Sequence, residues 1–317
     1  MKLEDIGFYT LTDNRAKNAS CYSVLSRCEL ILTSRCNFRC PYCRSVGGND
    51  IPIHQARNIV NTWGDERLQN IRFSGGEPTL YSGLLELVKL SKKRGVKRIA
   101  ISTNGSASKE KYEKLFIAGV NDFSISLDAC CAEDGDKMAG GRKGVFDKVI
   151  KNIEWLSKFV YTTVGVVLTA TNVSRTEDII TFADSLGVSD IRIIPAAQEG
   201  TKLPSIKVKD ELLKKYKILA YREYNLRMGR RVRGNPETHC GLVLDDMAVM
   251  GNEHFPCIIY MREGGKPIGK VSPWMRRERE EWAIKHDCTK DKICSKNCLD
   301  VCVDYNRRCN ERYLTIN

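Results

Sequence analysis

Between Glu29 and Pro195 the sequence repeats one unit: a short β-rich run, a polar loop, then a stretch with apolar residues at helical spacing. The β-rich runs are 29–33 (ELILT), 70–74 (NIRFS), 98–102 (RIAIS), 122–127 (DFSISL), 164–170 (VGVVLTA) and 190–195 (DIRIIP). Helical spacing fills 53–63, 80–94, 108–118, 144–159 and 176–186 between them. Gly95, Gly119 and Gly187 stand just past three of these helices, where a left-handed cap belongs. Strands joined by crossover helices must lie parallel to their neighbours. The expectation is therefore an α/β fold with a parallel sheet, its apolar strands buried on both faces. Active residues belong at the C-terminal ends of such strands. Spacing alone leaves both an open doubly wound sheet and an incomplete barrel allowed.

The polar motifs sit where those ends fall. Cys36, Cys40 and Cys43 follow the first strand in C-x3-C-x2-C spacing, and Gly75, Gly76, Glu77 and Pro78 follow the second. Ser102 and Asn104 follow the third, Ser126 and Asp128 the fourth, and Asn172 the fifth. Independent loops converging on one rim make a site.

Compartment decides how the 14 cysteines are read. The N-terminus lacks a basic-then-apolar signal pattern, and no apolar run is long enough to span a bilayer, so a cytoplasmic, non-membrane protein is expected. Clustered thiols in a reducing compartment hold metal or do redox work more often than they pair. They fall into two rich regions, Cys21–Cys43 and Cys240–Cys309, with only Cys130 and Cys131 between. Three thiolates in the first loop fit three corners of a cubane iron–sulfur cluster and leave one iron open. A zinc site completed by a distant Cys or His is the alternative.

The C-x3-C-x2-C loop with Tyr42 before its last cysteine, the GGEP loop and the segment SLDACCAEDGDKMAGGRKGVFDKVIKNI together resemble the radical S-adenosylmethionine (radical SAM) superfamily. The likeness runs through about residues 28–200 and points to the cofactor-maturation and peptide-maturase branch. It implies an incomplete (β/α)6 TIM-like barrel with a small cysteine-rich C-terminal domain. It also implies a [4Fe-4S] cluster whose open iron is chelated by S-adenosylmethionine. One electron, from an external flavodoxin- or ferredoxin-type donor, then cleaves the cofactor to a 5′-deoxyadenosyl radical that takes a substrate hydrogen atom. By the same likeness, the Gly75–Pro78 backbone meets the cofactor's amino group and the Tyr42 backbone meets adenine. Ser102, Asn104, Ser126, Asp128 and Asn172 serve its ribose and methionine ends.

The C-terminal cysteines carry a second likeness. Cys240, Gly251 and Cys257 form C-x10-G-x5-C, followed by Cys288, Cys294, Cys298, Cys302 and Cys309. This resembles the SPASM/twitch extension, which implies one or two auxiliary iron–sulfur clusters; a zinc ribbon is the alternative. The usual pattern has a further cysteine three positions before Cys288, where this chain has Lys285. Seven thiols then allow two clusters only if one site is open or uses a different ligand. Cys21, Cys28, Cys130 and Cys131 are read as non-ligating.

Residues 196–208 read as a linker and 209–228 as one amphipathic basic helix. Positions 206–235 carry ten Lys/Arg against Asp210, Glu211 and Glu223, within a chain of net charge +12. Such a stripe is either a solvated face or a surface for acidic peptides or nucleic acid. The expected organisation is an N-terminal extension (1–27), a partial barrel (28–205), a basic helical linker (206–235) and an auxiliary-cluster domain (236–317). The leading expectation for function is modification of a peptide or protein. Radical modification of a nucleotide, nucleic acid or small metabolite is the alternative, and an electron-transfer protein a third. No general acid or base stands out: His239, His254, Asp245, Asp246 and Tyr305 are without assigned roles.

Overall fold

The computed structural model describes residues 2–8, 13–44, 48–196, 206–229, 232–234 and 236–314. Six strands, β1 (Arg27–Thr33), β2 (Asn70–Gly75), β3 (Arg98–Thr103), β4 (Asp122–Ser126), β5 (Tyr161–Leu168) and β6 (Asp190–Pro195), form a continuous parallel ladder in chain order. The crossovers carry α1 (Ile53–Asp65), α2 (Leu84–Lys93), α3 (Lys109–Ala118), α4 (Ala132–Met138), α5 (Val145–Leu156) and α6 (Thr176–Ser185). β6 pairs with β5 alone, so the barrel does not close among the described strands. Gly95, Gly119 and Gly187 take φ of 80°, 126° and 71° after their helices, as their positions required.

The strands are not apolar on both faces, contrary to the sequence expectation. Cys28, Leu30, Leu32, Ile71, Phe73, Ile99, Ile101, Phe123, Ile125, Val164, Val166, Ile191 and Ile193 point outward into one core beneath the helices. The alternate positions, among them Glu29, Arg72, Ser74, Ser102, Ser126 and Arg192, point into the barrel and line its cavity. Period-two alternation therefore separates a helix-packed hydrophobic layer from a polar interior. Truncating Phe73, which is fully buried, to Ala should cost about 3–5 kcal/mol.

The basic segment is also different from expectation. It forms two helices, α7 (Asp210–Lys215) and α8 (Lys217–Arg227), broken at Tyr216 with φ −111° and ψ 110°. The cause is tertiary: the buried Asp190 carboxylate at the start of β6 accepts the N–H groups of Ile218 (3.0 Å) and Leu219 (3.3 Å). This is an N-cap supplied from another element. It docks α8 on β6 and turns Arg222 towards the barrel interior, while Lys215 remains outside, paired with Asp184.

Beyond a two-residue strand β7 (Val232–Arg233), the chain returns to the same sheet. β8 (Asp246–Met250) lies parallel to β1 on the side opposite β2, and β9 (Glu253–Phe255) and β10 (Gly269–Lys270) extend it antiparallel. α9 (Ile258–Arg262) and α10 (Met275–Lys285) follow these turns. β11 (Cys298–Leu299) pairs with β7, and α11 (Asp300–Leu314) ends the described chain. No helix among the described residues is long and apolar enough to cross a membrane.

Candidate active site

The three loops at the strand ends are bound to one another. The Gly76 N–H donates to the Thr33 carbonyl (2.7 Å) and the Glu77 N–H to the Arg35 carbonyl (2.8 Å), pressing the GGEP loop onto the thiol loop. A Cβ on Gly75 would lie 2.3 Å from the Thr33 oxygen, and one on Gly76 2.3 Å from the Arg35 oxygen. The glycines are thus needed for loop-on-loop contact, and Gly75 also has a φ of 146°. Pro78 opens a short 3-10 turn and is buried away from the cavity.

Glu77 is almost wholly buried. Its carboxylate accepts the N–H (3.0 Å) and hydroxyl (2.6 Å) of Thr79, the Thr103 hydroxyl (2.7 Å) and the Asn104 N–H (2.7 Å). Burial pushes its pKa up against those bonds. Asn104 passes the link on, donating to the Asn37 side chain (2.8 Å) between Cys36 and Cys40. From the other side, the Tyr42 hydroxyl donates to Asp128, whose second oxygen accepts the Val167 N–H (2.5 Å). Burial raises the Asp128 carboxyl to about 6. Asn172 does not line the cavity; its amide bonds to Thr169 N (2.8 Å), the Val167 carbonyl (2.8 Å) and the Asp128 carbonyl (3.3 Å).

These bonds surround a cavity of about 550 Å³. Cys36, Cys40, Cys43, Tyr42, Gly75, Gly76, Ser102, Asn104, Ser126 and Asp128 form one part of its wall, and Cys240, Cys257, Cys294, Cys298 and Cys302 another. The two thiol-rich regions, far apart in sequence, face a single space. Cys288 lies just behind, its thiol beside those of Cys240 and Cys294, and the Cys298 thiol lies beside that of Cys302. Cys309 is elsewhere: its thiol donates to the Ala16 carbonyl (3.3 Å) beside a separate small cavity with His239. Cys130 and Cys131 lie near Arg175 and Asp134, off the cavity.

The C-terminal wall is held by Arg279, fully buried with no carboxylate in ion-pair contact among the described residues. Its guanidinium donates to the carbonyls of Val243 (2.8 Å), Phe255 (3.0 Å), Asp246 (2.5 Å) and Pro256 (3.2 Å) and to His254 Nδ1 (3.1 Å). This fixes the turn that delivers Cys257. It also holds His254 neutral, with a pKa lowered to about 3 by burial. Arg44, one residue past Cys43, pairs with Glu263 beyond α9, so the first thiol loop is clamped to the C-terminal wall.

The sequence reading did not single out the charged interior. Ser74 donates to Glu29 (2.6 Å), Arg72 donates to Ser102 (2.8 Å) and shares Asp122 with Arg98, and Arg27 pairs with Asp246 (2.6 Å). Arg192 donates to Ser124 (3.2 Å), but its Nε, like that of Arg222, is buried without a hydrogen-bond partner. Neither guanidinium has a carboxylate in ion-pair contact among the described residues. Both are half-buried and line the cavity, and burial lowers the pKa of Arg192 to about 9. A charge at an inward position of an otherwise apolar strand, as in NIRFS and DIRIIP, was the available signal.

Residues 30–183 match the family described as the Radical SAM superfamily. The chain carries a radical SAM domain. It is 32% identical over 208 residues to the GTP 3',8-cyclase of Nautilia profundicola, covering 59% of this chain and 63% of that one. It is 29% identical over 172 residues to the probable GTP 3',8-cyclase of Sulfolobus acidocaldarius, covering 52% and 54%. The chain thus spans little more than half the length of these relatives. In fold it is similar to anSMEcpe with bound AdoMet and Cp18Cys peptide, with TM-score 0.59, 17% identity, and coverage of 92% of this chain and 98% of that one. Streptococcus suis SuiB bound to precursor peptide SuiA gives TM-score 0.59 at 16% identity, covering 88% and 67%. At these identities the likeness is one of fold. Radical SAM proteins use a 4Fe-4S cluster and S-adenosylmethionine. The donor set suits them: three thiols on one loop reach the cavity beside backbone and hydroxyl groups of the neighbouring loops, with room for a further ligand.

Proposed function

We propose that this radical SAM protein removes a hydrogen atom from a peptide or protein substrate seated between its two thiol-rich walls. One observation carries the reading: Cys36, Cys40 and Cys43 share a cavity with Cys257, Cys298 and Cys302. A group bound in it lies within reach of both walls. Cluster and S-adenosylmethionine, when bound, supply one-electron cleavage of a sulfonium carbon–sulfur bond and hydrogen-atom abstraction. The chain's own residues do the rest. Cys36, Cys40 and Cys43 would hold the cluster, while Gly75, Gly76, Ser102, Asn104, Ser126 and Asp128 present backbone and polar groups to the cofactor. The Glu77 and Asp128 bonds keep these loops in register, and the docked C-terminal wall excludes water. An external one-electron donor of flavodoxin or ferredoxin type completes the system. Arg192 and Arg222 suit an acidic side chain or a terminal carboxylate on the substrate.

A second reading, an anionic nucleotide as substrate, is favoured by the same two arginines and by the names of the sequence relatives. The test is anaerobic incubation of reconstituted, reduced protein with S-adenosylmethionine and either acidic peptides or GTP, followed by mass spectrometry. The peptide reading expects 5′-deoxyadenosine together with a peptide of altered mass. Consumption of GTP with every peptide unchanged replaces it by the second reading, and absence of 5′-deoxyadenosine in all mixtures removes both.

A further inference from the structure

α10 ends at Lys285, whose side chain points to solvent and pairs with Glu281 (3.2 Å). The next residue turns the other way. The His286 side chain is only 19% exposed, and its ring stacks on Trp282 with centroids 4.0 Å apart and planes at 15°. Tyr260 meets the same ring edge-on at 6.2 Å. Two aromatic rings therefore fix the imidazole's orientation. Its Nε2 is nevertheless buried without a hydrogen bond, 3.5 Å from an Asp291 oxygen.

Donor atoms of His286, Cys288 and Cys294 all lie within 4.8 Å of one another. A fourth donor adjoins them: the Cys240 thiol lies beside Cys288, outside that 4.8 Å group. Asp291 organises the turn: one oxygen accepts the N–H groups of Ile293 and Cys294 (both 2.8 Å), the other the Tyr260 hydroxyl (3.0 Å). Aromatic packing alone accounts for the ring's position but not for three sulfur and nitrogen donors meeting at an unsatisfied nitrogen.

We propose that His286 is a metal ligand, completing with Cys240, Cys288 and Cys294 a three-thiolate, one-imidazole centre in the C-terminal wall. The centre takes a thiophilic metal, either an auxiliary iron–sulfur cluster or a single zinc ion, since both accept this donor set. Cys257, Cys298 and Cys302 are then left as a separate group facing the cavity, and the chain needs no cysteine at position 285. The assignment is independent of what the substrate is.

The test uses full-length protein reconstituted anaerobically without S-adenosylmethionine and labelled with 15N-histidine; the chain has only 4 histidines. Metal analysis separates iron from zinc. Pulsed EPR of the reduced clusters, or zinc-edge absorption, then reads the coordination shell. The expected result is a directly bound histidine nitrogen that responds to the label. It should vanish in His286→Cys while the C-terminal metal is retained, because a fourth thiolate substitutes for the imidazole. His286→Ala should retain that metal at least tenfold more weakly, since even outer-shell partners are worth about 10–100-fold in affinity. An all-sulfur shell in the wild type, or a nitrogen signal that survives in His286→Cys, overturns the assignment.

Discussion

The Glu77 carboxylate accepts the Asn104 N–H at 2.7 Å, so the loops after β2 and β3 are joined by a buried charged hydrogen bond. With the bonds to Thr79 and Thr103, one side chain satisfies four donors, three of them buried. Glu77→Ala should therefore destabilise the metal-free protein by about 2–4 kcal/mol, because removing a shared acceptor strands its donors. Glu77→Gln, which keeps one acceptor oxygen, should lose less. Chemical unfolding of the three proteins checks this, and equal stability of wild type and Glu77→Ala would mean that the loops are held by something else.

Asp128 gives a pH dependence of definite sign. Its folded carboxyl titrates at about 6 against an ordinary 3.8, and Asp245 is raised to about 6 by burial as well. Between those values each folded carboxyl holds a proton that the unfolded state has released, so each makes stability fall as pH rises from 4 to 6, while His254, held neutral in the fold, offsets one of the two over the same window. Each carboxyl accounts for a loss on the order of 3 kcal/mol at most, at 1.36 kcal/mol per unit. Asp128→Asn should remove one carboxyl's share of that dependence. Unfolding free energies of wild type and variant measured across this window decide it; a difference between the two that stays constant with pH contradicts the assignment.

The strands and the rim loops were legible because both depend on local pattern: alternation, glycine caps, and polar motifs at the ends of apolar runs. What stayed hidden depends on contacts between distant segments. Five residues of β8, DMAVM, carry no strand signal strong enough to announce that they pair with β1. The break at Tyr216 follows from the Asp190 carboxylate capping α8, which periodicity in 209–228 does not contain. Glu29, Arg72 and Arg192 were visible as charges within apolar strands, but the expectation of burial on both faces masked their meaning. His286 sits one position from Lys285, where the pattern lacked a cysteine, and only the turn of the chain brings it to Cys288 and Cys294.

Gly76 and Gly95 form a matched pair for testing the loop contact. A methyl group on Gly76 would lie 2.3 Å from the Arg35 carbonyl oxygen, whereas one on Gly95 meets nothing within 4 Å. Gly95→Ala should cost only about 1 kcal/mol, from its left-handed backbone. Gly76→Ala should cost about 1–3 kcal/mol and push the thiol loop outward. The purified Gly76→Ala protein should then hold less iron at Cys36, Cys40 and Cys43 than Gly95→Ala does. Identical iron content in the two variants would show that the contact does not shape the thiol loop.

Cys309 separates packing from ligation. Its thiol is buried and bonded to Ala16, in a small cluster against which Cys240 and Cys302 pack from the other side. Cys309→Ala should leave metal content unchanged and lower stability by about 1 kcal/mol, the worth of a small buried contact. Loss of C-terminal metal in this variant would return Cys309 to the ligand set.

Arg192 should trade stability against binding. A half-buried guanidinium, with Arg72 and Arg222 outweighing Asp122 and Glu29 among its charged neighbours and burial lowering its pKa to about 9, is held in the fold at a cost. Its one short side-chain bond, to Ser124 at 3.2 Å, recovers little of it. Arg192→Met fills nearly the same volume without the charge, and comparable replacements of buried ions have stabilised proteins by about 1–4 kcal/mol. The ligand-free variant should therefore unfold at a higher temperature than the wild type. An anion that seats on Arg192 and Arg222 should raise the wild-type transition by mass action and raise that of the variant less. Thermal melts with and without an acidic peptide or GTP read both effects. A variant that is less stable than wild type and responds equally to the anion would show that Arg192 serves the fold instead of the substrate.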